Sequence, residues 1–168
     1  MTFPRLIPAL AVATLLPLTA AASVLDKYTI TAPLAVDSEK MLFSKIFDIE
    51  LWSDSYPQQY DQDITIRIRL AARVDKSDII EFILDEAGEI HKISRTDTAA
   101  MLDSLDDAIT CLPTANTVLD FNFIPGTGVE VSCNGAQGGP PIADEQHTVY
   151  LMDIFLHPKS EYPGLAKP

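Results

Sequence analysis

Positive charge is scarce in this sequence. Lys and Arg total 12 against 24 Asp and Glu, a formal net charge of -12 with a pI near 4.4. Such a surface repels phosphate, which excludes general nucleic-acid binding and disfavours an anionic membrane surface. Histidine is equally sparse. His91, His147 and His157 stand at no metal-ligating spacing, and Asp61-Gln62-Asp63 has neither the glycine nor the other ligands of a calcium loop. No metal and no cofactor is therefore expected. A G-x-S-x-G elbow is missing. The glycines at 126, 128, 135, 138 and 139 follow strands without opening helices, so they are hairpin turns and not phosphate loops. Past residue 22, no apolar run is long enough to span a bilayer.

The first 22 residues have the layout of a secretory signal peptide. Arg5 precedes a short apolar run over residues 6–18, which Pro8 and Pro17 interrupt, and Ala20 and Ala22 fit the small-residue cleavage pattern. Cleavage after Ala22 is expected to leave residues 23–168 as a single domain that is periplasmic or secreted and has no membrane span; an uncleaved anchor is the alternative. The 47% of apolar residues suffices for a core. In an oxidising compartment Cys111 and Cys133, the only two cysteines, are expected to pair as a disulfide worth about 3 kcal/mol. Two buried thiols are the alternative.

Hydrophobic periodicity predicts the elements. Residues 27–32 read as a short β-branched strand and 35–40 as a polar loop. Over residues 43–52 the period is two, with Phe43, Lys45, Phe47, Ile49 and Leu51 on one face. Residues 62–70 alternate Ile64, Ile66, Ile68 and Leu70 with Thr65, Arg67 and Arg69. A helix capped by Asp75 or Ser77 runs to about Ile90, with Asp78, Glu81, Asp85 and Glu86 on its exposed side. A second helix starts at Ser94 or Thr96 and closes at Pro113. Residues 117–124 and 129–133 form a hairpin. Asp144 opens a last helix that Pro158 stops, and a polar, proline-broken tail follows. Four antiparallel strands with clustered helices make an α+β fold, an antiparallel sheet with helices packed on one face. Arg67 and Arg69 are expected to pair across strands with Asp48 or Glu50. Holding a ligand carboxylate is their alternative role.

Four segments resemble the chalcone isomerase-like family, in particular its short exported bacterial members. They are Phe47-Asp48-Ile49-Glu50-Leu51-Trp52, the strand-to-helix passage from Ile66 to Ile79 through Val74-Asp75, the hairpin from Phe121 to Gly135, and Ile154-Phe155-Leu156-His157-Pro158 with Ser160 and Leu165. The resemblance implies an open-faced β-sandwich. It also implies a cleft where enzymes of the family cyclise chalcones and non-enzymic relatives bind fatty acids. In both, an early-strand Arg and a Tyr at the end of the strand before the first helix receive an anionic oxygen. Here the Tyr position falls at Leu70. The early-strand Arg falls within residues 36–40, which contain none, and a Thr of the enzymes falls close to Lys45.

No catalytic set is therefore expected. The expected function is non-catalytic binding of a small apolar or fatty-acid-like ligand, with a small hydrophobic carboxylate as partner and Lys45 and Arg73 as its anchors. A protein-interaction module with a filled core is the alternative, and an intramolecular lyase or isomerase is the third reading.

Overall fold

The structure, a computed structural model, describes residues 24–41, 44–57 and 60–165. The expected signal peptide and Phe43 lie outside the described residues. Strands β1 (Ala35–Met41), β2 (Ser44–Trp52) and β3 (Ile64–Leu70) precede two helices, α1 (Lys76–His91) and α2 (Arg95–Ala108). Strands β4 (Val118–Ile124), β5 (Gly128–Cys133) and β6 (Ala136–Gln137) follow, then α3 (Glu145–Leu156). The strands form one antiparallel sheet in chain order, β1 to β6.

Alternation decides which way the sheet faces. Ile49 and Leu51 of β2, Ile64 and Ile66 of β3, Leu119 of β4 and Val129 of β5 are fully buried on one face. Helix α1 lays Ile79, Ile80, Ile83 and Ala87 into the core. Helix α3 is buried almost all round, from Tyr150 to Phe155, and packs against α1, which lies between α2 and α3. Its N-cap is Asp144, whose carboxylate accepts from the His147 amide at 2.9 Å. Ser94 caps α2 in the same way through the Asp97 amide. Asp75 stands at the N-cap of α1 without a side-chain capping bond. Gly139 is a contact position: a Cβ there would sit 1.9 Å from the Asp107 carbonyl oxygen, so only glycine lets this loop lie against the end of α2.

The sheet is wider than the expected four strands, and two readings at its edge are corrected. Residues 35–40, expected to be a loop, belong to β1. The segment is polar because it is an edge strand, and its extended form comes from pairing with β2. Residues 27–32, expected to be a strand, have no strand to pair with. They continue a 3-10 turn (Val24–Lys27), and the amide and hydroxyl of Thr29 donate to Asp54 at 2.7 and 2.8 Å.

A two-for-one bulge interrupts β2. Glu39 pairs with Phe47 and Lys40 with Lys45, so Ile46 has no partner on β1. The bulge resets the alternation. Lys45, expected beside Phe47, instead turns to Asp48, with Nζ 2.8 Å from Oδ1.

The other face of the sheet is polar and largely closed. Asp120 is fully buried and takes a two-pronged ion pair from Arg67, Nε to Oδ1 at 2.6 Å and Nη2 to Oδ2 at 2.9 Å. The Tyr28 hydroxyl lies 2.8 Å from that of Thr65, which donates to Asn122 at 2.8 Å. Both arginines pair across strands, but only Arg69 meets Glu50, at 3.7 Å. Arg67 stands level with Glu50 on one side and Asp120 on the other, and it goes to the buried carboxylate. Arg67 is thus engaged within the fold, while Arg69 is half exposed.

Cys111 and Cys133 form the expected disulfide, with their Cα atoms 6.2 Å apart. It ties the segment after α2 to the end of β5. Replacing both cysteines by serine should lower the unfolding free energy by about 3 kcal/mol, and reductant should bring the parent chain to the same value in a urea titration. Arg67→Met, which strands the buried Asp120 charge, should cost about 3–5 kcal/mol. Adding Asp120→Asn should return part of that loss, measured on the same titration.

Candidate ligand-binding cleft

Between α1 and the adjoining ends of β1 to β3 lies a cleft of about 570 Å³, within the size range of small-molecule sites. The sheet contributes Ile46, Phe47, Ile68 and Leu70 to its floor. Ile46 and Phe47 are neighbours in sequence, yet both reach the cleft, because the bulge turns both to the same side. Val74, Ile79 and Phe82 line the α1 side. Phe82 stands edge-on to Phe47 at 5.6 Å and to Tyr162 at 6.4 Å, and Tyr162 continues to Phe155 at 5.9 Å. This aromatic chain joins the cleft to the core.

The two ends of the cleft differ in charge. Arg73 and Asp78 lie at the start of α1, both exposed. Two turns further along the helix, roughly 12 Å, comes Glu86. Here Glu39 enters from β1 and Glu161 from the chain after α3. The Tyr162 hydroxyl donates to Glu39 at 3.2 Å. Burial pushes the Glu86 carboxyl up to about 7, and the charges of Glu161, Glu89, Glu39 and Asp85 push the same way. Burial, then the charges of Glu39 and Glu86, holds the Tyr162 phenol well above its usual range.

Of the two expected anchors, Arg73 lines this cleft and Lys45 does not. Lys45 is half exposed and paired with Asp48, on the far side of the bulge. Leu70, at the position where the resemblance implied a Tyr, gives the cleft an apolar wall. Glu39 stands in the stretch where it implied an Arg, and so reverses the sign of the charge there. Glu39, Glu86, Glu161 and Tyr162 were not singled out by the sequence. For Glu86 a signal existed: it stands seven residues after Ile79 and four after Phe82, on the same helical face. Glu161 and Tyr162 sit in a tail that reads as polar, although Tyr162 and Leu165 are buried.

A second hollow of about 450 Å³ lies between the β4–β5 turn and α3, with Tyr60, Thr127, Glu145 and Met152 among its lining residues. Beside it, Asp153 of α3 accepts from the Tyr60 hydroxyl. His91 Nε2 lies 2.9 Å from Asp153, out of line for a hydrogen bond, and its ring packs on Tyr150 at 4.6 Å. This cluster locks α1 to α3. Among the described residues no group of three or more His, Cys, Asp or Glu could hold a metal ion, and no helix is long and apolar enough to cross a membrane.

The raised Glu86 carboxyl makes a prediction with a definite sign. Its folded value near 7 lies above the ordinary 4.5, so the folded state holds this proton more tightly than the unfolded one. Stability contributed by the protonated group is present below about 4.5 and is lost as pH rises towards 7. Glu86→Gln should therefore be more stable than the parent chain at pH 8 and equal to it at pH 4, measured by chemical unfolding.

No family model matches the chain. No curated protein matches it either. Its fold does match solved structures. A fatty-acid binding protein of Arabidopsis thaliana superposes with a TM-score of 0.56 at 12% sequence identity, over 76% of this chain and 80% of that one. The six antiparallel strands with helices on one face are thus the chalcone isomerase-like fold, as the sequence motifs implied.

Proposed function

We propose that this chain is exported and binds a small apolar, fatty-acid-like molecule without transforming it. The observation that carries this reading is the cleft itself, about 570 Å³, with a floor of Phe47, Ile68 and Leu70 and a roof of Ile79 and Phe82. An unbranched chain lies along α1 over this surface and loses its contact with water. The fold supports the reading, since a protein of the same fold is named for fatty-acid binding. The absence of transformation rests on the polar groups. Leu70 has no proton to donate, and the carboxylate of Glu39 repels a developing oxyanion. For a ligand ending in a carboxylate, Arg73 is the receiving cation at this site, because Lys45 is held by Asp48. Export rests on the layout of residues 1–22, and the Cys111–Cys133 disulfide suits an oxidising compartment.

Ala72 tests the site cleanly, because it lines the cleft and is exposed. Ala72→Trp should fill the cleft from its rim. Binding of the uncharged probe Nile red, and its displacement by decanol, should fall at least about tenfold while the thermal midpoint stays unchanged. Undiminished binding in this variant would place the ligand elsewhere. A parent chain that takes up neither compound would remove the proposal. For export, mass spectrometry of chain recovered from the periplasm should show a new N-terminus at Ser23. Recovery with Met1 intact would contradict it.

A further inference from the structure

The geometry points to Phe82 as the side chain that sets the length of apolar chain this cleft accepts, with the limit at about ten carbons. The inference rests on the cleft being a ligand site and goes beyond that reading by fixing the length class of the molecule and the residue that determines it. Floor and roof meet at Phe82, which stands edge-on to Phe47 of β2 with ring centroids 5.6 Å apart. Phe82 lines the cleft and is only half-buried, but Tyr162 backs it from the core at 6.4 Å, and Phe155 backs Tyr162 at 5.9 Å. Tyr162 and Phe155 are fully buried, so the ring of Phe82 has nowhere to retreat on that side.

Both walls change character at this contact. Leu70 of β3, Phe47 of β2 and Glu39 of β1 stand level across the sheet, so the floor passes from aliphatic to aromatic to acidic. Along α1 the roof does the same through Ile79, Phe82 and Glu86. A methylene gains free energy on the side of Leu70 and Ile79, and gains none where it displaces water from a carboxyl. The apolar stretch therefore runs from Val74 to Phe82, about 12 Å at the helical rise. An extended alkyl chain advances about 1.2 Å per bond, so about ten carbons fill it.

Carbons past that length leave by the rim, where Ala72 and Arg73 are exposed, and stay in water. Affinity then rises about fourfold for each carbon laid along the cleft and levels off once the tip reaches Phe82. An apolar surface without a stop gives a rise that continues with every added carbon.

Hexanol, octanol, decanol and dodecanol, each below its solubility limit, separate the cases by displacement of Nile red from the full folded chain. From octanol to decanol the affinity should rise about tenfold, and from decanol to dodecanol by less than about twofold. In Phe82→Ala the vacated space is walled by the rings of Phe47 and Tyr162, so dodecanol should bind about tenfold more tightly than decanol. Phe82→Leu shortens the stop while keeping an apolar side chain, and should show the same change to a smaller degree, so the test stands even where Phe82→Ala does not fold. A purely structural role for Phe82 would weaken all four alcohols together and leave the break at decanol. That result, or a rise in the parent chain as steep from decanol to dodecanol as from octanol to decanol, would overturn this inference and leave the binding function standing. Failure of every alcohol to displace the dye would instead remove the binding function on which it rests.

Discussion

Alternation of apolar and polar side chains along β2 to β5 is the constraint on which the rest of this structure depends. It gives the sheet one face that must be covered, and α1 and α3 exist as amphipathic and buried helices because they cover it. The cleft forms where that rule is broken. At Ile46 one residue of β2 has no partner on β1, so two consecutive side chains turn to the helix side and the next lysine turns away. A regular strand would place Lys45 on the cleft side. The bulge therefore does two things at once: it widens the apolar floor and takes a cation out of the site.

The polar face follows the opposite logic. Its carboxylate at Asp120 is completely buried, and such a charge is tolerable only with a partner of matching geometry. Arg67 supplies both prongs, while Thr65 and Asn122 satisfy each other and Tyr28. Every strong polar group in the middle of this face is thus engaged within the fold. This is why Arg67, conspicuous in the sequence, has a structural role.

The sequence makes the centre of the fold legible and its margins much less so. Ile64 to Leu70 reads as a strand because every second residue is apolar, and α1 reads as a helix because its apolar residues are spaced three and four apart. β1 carries no such pattern. Its residues are polar and it pairs on one side only, so its strand character is a consequence of β2 and is absent from its own composition. The Thr-Ile-Thr run at 29–31 shows the converse, β-branched residues with no strand to pair with. Arg73, which lines the cleft, sits at a strand-to-helix junction, a place recognisable from the change of period. Lys45 was misplaced because a bulge inserts one residue without leaving a composition signal. Glu86 looked like surface because helix α1 carries acids on most of its outer side. Only the return of the chain after α3, bringing Glu161 and buried Tyr162 beside it, closes that position off.

The acidity of the whole chain and the acidity of the cleft are physically different matters. A net charge of -12 is spread over a surface where salt screens each charge beyond about 8–10 Å. It governs solubility and the rate at which charged molecules arrive. Glu86 is different, because it is half-buried and has four carboxylates near enough to raise it. That arrangement costs stability whenever Glu86 is ionised, and a glutamine of nearly the same shape would avoid the cost. A half-buried carboxyl with a raised proton affinity, set beside an apolar floor, is an observation that supports reading this cleft as a place for a ligand.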